Sequence, residues 1–134
     1  MKHATGTFEV KVVPVDVSEI GKQAGVGRMT IDKVWSGGLS GTSKGEMLTS
    51  LTPDTGAMGY VALELVTAKL DGRSGSFYFI HNASMNRNDP KSGVMQILVL
   101  AGSGTGELSG LRGTLTIIID GAGKHSYTFD YELP

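Results

Sequence analysis

Side chains that alternate between apolar and polar, interrupted at short intervals by glycine, leave this chain few options other than an antiparallel sheet. From Thr5 to Val15, Phe8, Val10 and Val12 alternate with Thr7, Glu9 and Lys11. Segments of the same kind follow at Arg28–Ser36, Leu39–Leu51, Ala57–Leu70, Ser74–Met85, Val94–Ala101, Gly113–Asp120 and Lys124–Leu133. In Ala57–Leu70 the run from Tyr60 to Val66 also suits a helix, but its valines and flanking glycines favour a strand. Turn chemistry separates the segments: Pro53-Asp54-Thr55-Gly56, the pair Asp71-Gly72, and Gly121-Ala122-Gly123. Composition makes Asn86–Gly93 a loop. One short helix fits within Val17–Gln23, with Ser18 as its cap. About eight strands on short connections specify an all-β meander in one domain spanning residues 1–134, and eight antiparallel strands can close into an up-and-down barrel. A two-sheet sandwich meets the same counts.

Composition then removes whole classes of function. Charged residues are 19% of the chain and the formal net charge is -1, so no basic field exists to gather phosphates, and no nucleic-acid partner is expected. With no cysteine there is no thiolate nucleophile and no cysteine-bound metal. The apolar runs are too short to span a bilayer or serve as a signal peptide, which gives the expectation of a cytoplasmic protein without a membrane partner. Glycine is abundant, at 20 of 134 residues. Yet Gly102-Ser103-Gly104-Thr105-Gly106 lacks the frame of a dinucleotide or phosphate loop, and neither a cofactor nor a metal centre is expected. Leu70-Asp71-Gly72-Arg73-Ser74-Gly75 and Leu108-Ser109-Gly110-Leu111-Arg112-Gly113 share one frame, read here as repeated hairpin geometry in which glycine permits a bend or a positive φ.

The Asp71-Gly72 turn carries the most information. A two-residue turn there pairs Glu64 with Phe79 and Ala62 with His81, so Tyr60, Glu64, Phe77, Phe79, His81 and Met85 share one sheet face. Glu64 and His81 are diagonal neighbours on that face and are the candidate acid–base pair if it lines a cavity. The opposite face, with Val61, Leu63, Leu65 and Ile80, is more uniformly apolar, and either face can be the core. Reading Gly37-Gly38 as a two-residue turn puts Glu46 opposite Met29, on a face with Ile31 and Trp35. In the last hairpin His125, Tyr127, Phe129 and Tyr131 share a face with Leu115, Ile117 and Ile119.

Several segments together resemble a known family. They are Ala4–Val10, Gly41–Met47, Gly59–Glu64, Gly72–Phe77 leading to His81, Gly102–Leu111 and Lys124–Tyr127. They are similar to a family of small uncharacterised bacterial proteins grouped with the allene oxide cyclase-like barrels, relatives of dirigent proteins. The resemblance implies an eight-stranded antiparallel barrel, lipocalin-like in appearance, often oligomeric and with a cavity. It implies no activity. The leading reading is therefore a barrel binding a small, mostly apolar molecule, lined by Trp35, Glu46, Tyr60, Glu64, Phe79, His81 and Tyr127. An isomerase or cyclase in which Glu64 or His81 moves a proton is the second. The third is an oligomerising module with a filled core, marked by apolar residues exposed at Val61, Leu63 and Leu65 or at Ile97 and Val99. A homo-oligomer, dimer or trimer, is expected.

Overall fold

The computed structural model describes residues 1–134 as eight strands wound in chain order into one closed antiparallel barrel. They are β1 (Lys2–Val15), β2 (Gly27–Gly37), β3 (Leu39–Thr52), β4 (Ala57–Leu70), β5 (Arg73–Asn86), β6 (Asp89–Val99), β7 (Arg112–Ile119) and β8 (His125–Glu132). Pairing of β1 with β8 completes the ring, which decides for the barrel and against the sandwich. The helix α1 (Glu19–Ala24) starts where expected: the Ser18 hydroxyl accepts from the Gly21 amide at 3.1 Å. No helix is long and apolar enough to cross a membrane.

The stretch 86–93 departs from its expected loop. Only Arg87 and Asn88 turn, and β6 begins at Asp89. Its polar residues are there because the hairpin is bulged, with a register shift between Ser84 and Asn86. Asn86 Oδ1 accepts from the Asn88 amide at 2.9 Å, and Ser92 Oγ accepts from the Asn86 amide at 3.0 Å. Polar side chains thus satisfy backbone groups that the bulge takes out of the ladder.

The β2–β3 register also differs, by one residue. Met29 pairs with Met47 and Thr30 with Glu46. The cause is tertiary. The Gly38 amide donates to Thr5 O at 3.0 Å and its carbonyl accepts from the Asp71 amide at 2.8 Å, so β1 and the β4–β5 turn hold this connection. A slip of one residue turns side chains to the other face. Glu46 consequently stands outside the barrel, exposed, in an ion pair with Arg28 at 2.5 Å.

In the β4–β5 hairpin the register is the one its turn dictates, Ala62 facing His81 and Glu64 facing Phe79. The mixed face points inward, and the uniformly apolar one, with Val61, Leu63, Leu65 and Ile80, points outward and is exposed. Ile97 and Val99 lie inside, buried, and so do not mark an outer surface. Aromatic residues fill the middle of the barrel. Trp35 packs against Phe8, Phe79 and Tyr127, and Phe129 against Phe77, Phe79 and Tyr131. Each such side chain, fully buried, contributes roughly 1.5–3 kcal/mol.

One end of the barrel is stoppered by the segment between β6 and β7. Where β6 stops at Val99, the upper part of β5 loses its neighbour, and side chains take over the ladder. Ser103 Oγ accepts from the Tyr78 amide, Thr105 Oγ1 from Ser76 and Glu107 Oε1 from Ser74, each at 3.0 Å. A Cβ on Gly75 would lie 2.1 Å from the Thr105 carbonyl oxygen, so only glycine lets the segment sit this close. A 3-10 turn at Gly106–Leu108 then carries Leu108, and soon after it Leu111, into the barrel end, both wholly buried.

Candidate functional site

Beneath the aromatic filling and toward the other end, the barrel holds four buried polar side chains: Lys33, Ser43, Glu64 and His81. Alternation along three strands brings them together. Lys33 stands between Ile31 and Trp35 on the inward face of β2, Ser43 faces in from β3, and Glu64 and His81 face in from β4 and β5. The Lys33 amine bridges both carboxylate oxygens of Glu64, at 3.0 and 3.1 Å. Ser43 Oγ donates to Glu64 Oε1 at 3.1 Å and accepts from Trp35 Nε1 at 3.0 Å. The Lys33 Nζ also lies 5.0 Å from the centre of the Phe8 ring and 5.3 Å from that of Trp35.

Burial pushes the Glu64 carboxyl upward, but His81 and Lys33 together outweigh it and hold the group below the ordinary carboxylate range. Glu64 is therefore an ionised acceptor. The His81 Nδ1 stands 3.6 Å from Glu64 Oε2, beyond hydrogen-bond length, and has no other partner. Its attraction to the carboxylate is electrostatic, and it is favourable with the proton on Nδ1. With the proton on Nδ1, Nε2 carries a lone pair and accepts from the Tyr60 hydroxyl, the two atoms lying 2.8 Å apart. Burial, and after it the charge of Glu64, pushes the Tyr60 phenol above its ordinary value.

Tyr60 is where this cluster meets open space. A cavity of about 400 Å3 lies at the unstoppered end, lined by 12 residues that include Tyr60, Met58, Met85, Met95, Val94 and Ile117. None of the 12 is charged. Met58 and Met85 are cross-strand partners, and Met95 faces Ala83 on the next strand. Thioether side chains are flexible and polarizable, and such a wall adapts to the shape of what it meets.

The residues singled out from the sequence thus part into groups. Tyr60, His81 and Glu64 come together as one chain of contacts leading inward from the cavity. Trp35 and Phe79 are buried in the filling above, with Trp35 anchoring Ser43. Tyr127 spends its hydroxyl on the β2–β3 connection: it accepts from the Leu39 amide at 3.0 Å and reaches the Ser36 and Leu39 carbonyls at 2.9 and 3.0 Å. Glu46 is outside, so it meets neither His81 nor Glu64. Sequence reasoning places Met85 on the face of Tyr60 but points to neither Lys33 nor Ser43, nor to Met58 and Met95. The period-two pattern already placed Lys33 on the face of Met29, Ile31 and Trp35, and Met58 on that of Tyr60.

An up-and-down barrel, stoppered at one end and open at the other above a buried ionic cluster, is the class of protein these features define. The chain belongs to the family described as Protein of unknown function (DUF3224), whose model matches residues 4–131. It is similar to a protein of unknown function of the same family from Shewanella oneidensis MR-1, solved by crystallography, with 40% sequence identity and a TM-score of 0.87. That likeness covers 100% of this chain and 98% of the other. No curated protein matches the chain.

Proposed function

We propose that this barrel binds a small, mostly apolar molecule at its open end. The observation that carries the reading is the uncharged cavity of about 400 Å3, walled by methionines, in which Tyr60 offers a fixed polar contact. Its size and its ratio of apolar wall to polar anchors are those of small-molecule pockets. The Tyr60 hydrogen is committed to His81, so its oxygen faces the ligand as an acceptor. Titration with the neutral fluorophore N-phenyl-1-naphthylamine tests the reading. Saturable fluorescence enhancement is expected, and Ala83→Leu, which fills the cavity from its wall, abolishes it. Absence of saturation, or an unchanged titration in that variant, rejects the reading.

A second observation favours self-association. On the outer face Leu63, Ile80 and Leu98 form a row across β4, β5 and β6, flanked by Leu48, Val61, Leu65 and Tyr78. A barrel surface facing water is polar on that side, and an apolar patch of this extent is the mark of an interface. Its edge carries the Arg28–Glu46 pair, with both charge signs available to a second copy. Light scattering coupled to gel filtration is expected to show a dimer or trimer, and Leu63→Lys a monomer. A monomeric wild type rules this out.

A further inference from the structure

We infer that Tyr60, His81 and Glu64 form a proton relay that gives the open-end cavity an acid–base activity, the tautomerisation of a neutral, apolar enol to its ketone. The inference rests on the binding reading above and names both the substrate class and the chemistry of the same site.

Stability does not account for the cluster. Replacing a buried ion pair by well-packed apolar groups is often neutral or favourable, so an interior that keeps Lys33, Glu64 and His81 among aromatic rings forgoes a simpler solution. Buried ionisable groups aligned toward a cleft are instead a signature of chemistry. The alignment here is directional. From the cavity wall, the Tyr60 hydroxyl leads at 2.8 Å to His81 Nε2, and the opposite nitrogen of that ring faces the Glu64 carboxylate at 3.6 Å. His81 is only 5% exposed, its Nδ1 has no hydrogen-bond partner, and the carboxylate beyond it is immobilised by Lys33 and Ser43. Such a ring can take a proton on Nε2, because the positive charge so created stands beside Glu64.

The steps balance without any added reagent. A bound enol donates its hydrogen bond to the Tyr60 oxygen. Its O–H bond breaks as a new O–H bond forms on Tyr60, while the proton Tyr60 held passes to His81 Nε2. The substrate is then an enolate. In the second step Tyr60 releases its proton to the enolate carbon, a C–H bond forms, and Nε2 returns a proton to the phenol oxygen. The enzyme ends as it began, and the substrate has exchanged an O–H bond for a C–H bond. Tyr60 is the catalytic residue of this scheme; His81 and Glu64 act through it.

The cavity selects the substrate. With no charged residue among those that line it, and Lys33 bound to Glu64, nothing there neutralises a carboxylate or phosphate, so the substrate is neutral. Thioethers make favourable contacts with aromatic rings, and three methionines wall the space. An aromatic β-diketone meets both conditions.

Benzoylacetone, added in its enol form to the full-length protein, provides the test, with enol absorbance giving the rate and Trp35 fluorescence the binding. Ketonisation is expected to accelerate in proportion to protein and to saturate with substrate. Tyr60→Phe and His81→Gln are each expected to lower kcat at least tenfold with KM changed less than threefold, while the melting temperature shows both variants folded. A structural role would move stability or KM in place of kcat. Saturable binding without acceleration over buffer, or a kcat retained in Tyr60→Phe, overturns the relay and leaves the binding reading standing. Lack of saturable benzoylacetone binding overturns the assigned substrate class and the relay with it; the binding reading then stands or falls on the fluorophore titration.

Discussion

Replacing Glu64 by glutamine keeps its shape and removes its charge, which isolates the part the ion pair plays. In the wild type the Lys33 amine touches both carboxylate oxygens, and both residues are buried, at 4% and 0% side-chain exposure. Solvent therefore cannot screen the loss. Removing one member of a buried pair strands the other charge and costs about 3–5 kcal/mol. With an unfolding entropy of roughly 2.1 cal/mol/K per residue, that corresponds to a fall of about 10–18 °C in melting temperature. The double variant Lys33→Met, Glu64→Leu removes both charges. It is expected to be more stable than Glu64→Gln alone, because no ion is left stranded. Trp35, the sole tryptophan, is buried beside the pair and reports unfolding in urea or heat. The dependence on pH has a definite sign. The folded pKa of Glu64 lies below its ordinary 4.5, so its stabilisation is complete above that value and disappears as pH falls below it. Glu64→Gln flattens this acid limb. A loss smaller than about 1 kcal/mol, an unaltered acid limb, or a double variant less stable than Glu64→Gln would refute the reasoning.

Other expectations concern the stopper and the alkaline side of the stability profile. Leu108→Ala empties a fully buried position, and urea denaturation should show a loss of about 2–5 kcal/mol. Gly75→Ala places a Cβ 2.1 Å from Thr105 O, so the segment must lift from β5; faster hydrogen exchange at the Ser76 and Tyr78 amides is the measurement. Burial, followed by a hydrogen bond donated to Asp71, pushes the Tyr131 phenol up to about 12. The stability this contributes is present below the ordinary value of 10 and lost as pH rises from there to about 12, and denaturation across that interval should show a shallower loss for Tyr131→Phe.

Much of this was legible in local pattern, and the failures share one cause. The Asp71-Gly72 turn fixes its own register, since two residues leave no slack, and Tyr60, Glu64 and His81 were correctly grouped on one face. The β2–β3 connection has a similar sequence but is held by hydrogen bonds that Gly38 donates to Thr5 and accepts from Asp71, partners far away in the chain. Those contacts shift the register by one from that of a two-residue turn and put Glu46 outside. The bulged hairpin around Asn86 was hidden for the same reason: its polar side chains are ladder substitutes, and composition alone presents them as loop. Lys33 gives no local signal, because a lysine in a strand is ordinarily solvated, and only the closed ring shows that its partner is Glu64, 31 residues away.

The division between the two sources follows from range. By itself the sequence determined that the chain is a strand meander punctuated by glycine, where most strands run, and which side chains share a face within a strand and across the Asp71-Gly72 hairpin, because period-two alternation and a tight turn are local geometry. Which face points inward was a tertiary decision. On β4 and β5 both faces are apolar enough to be core, with Val61, Leu63, Leu65 and Ile80 on one and Phe77 and Phe79 on the other. The choice comes from ring closure, in which β1, β2 and β8 deliver Phe8, Trp35, Tyr127 and Phe129 to the interior and Phe77 and Phe79 meet them there. That packing draws Glu64 and His81 inside with the rings, and leaves the more uniformly apolar face outward.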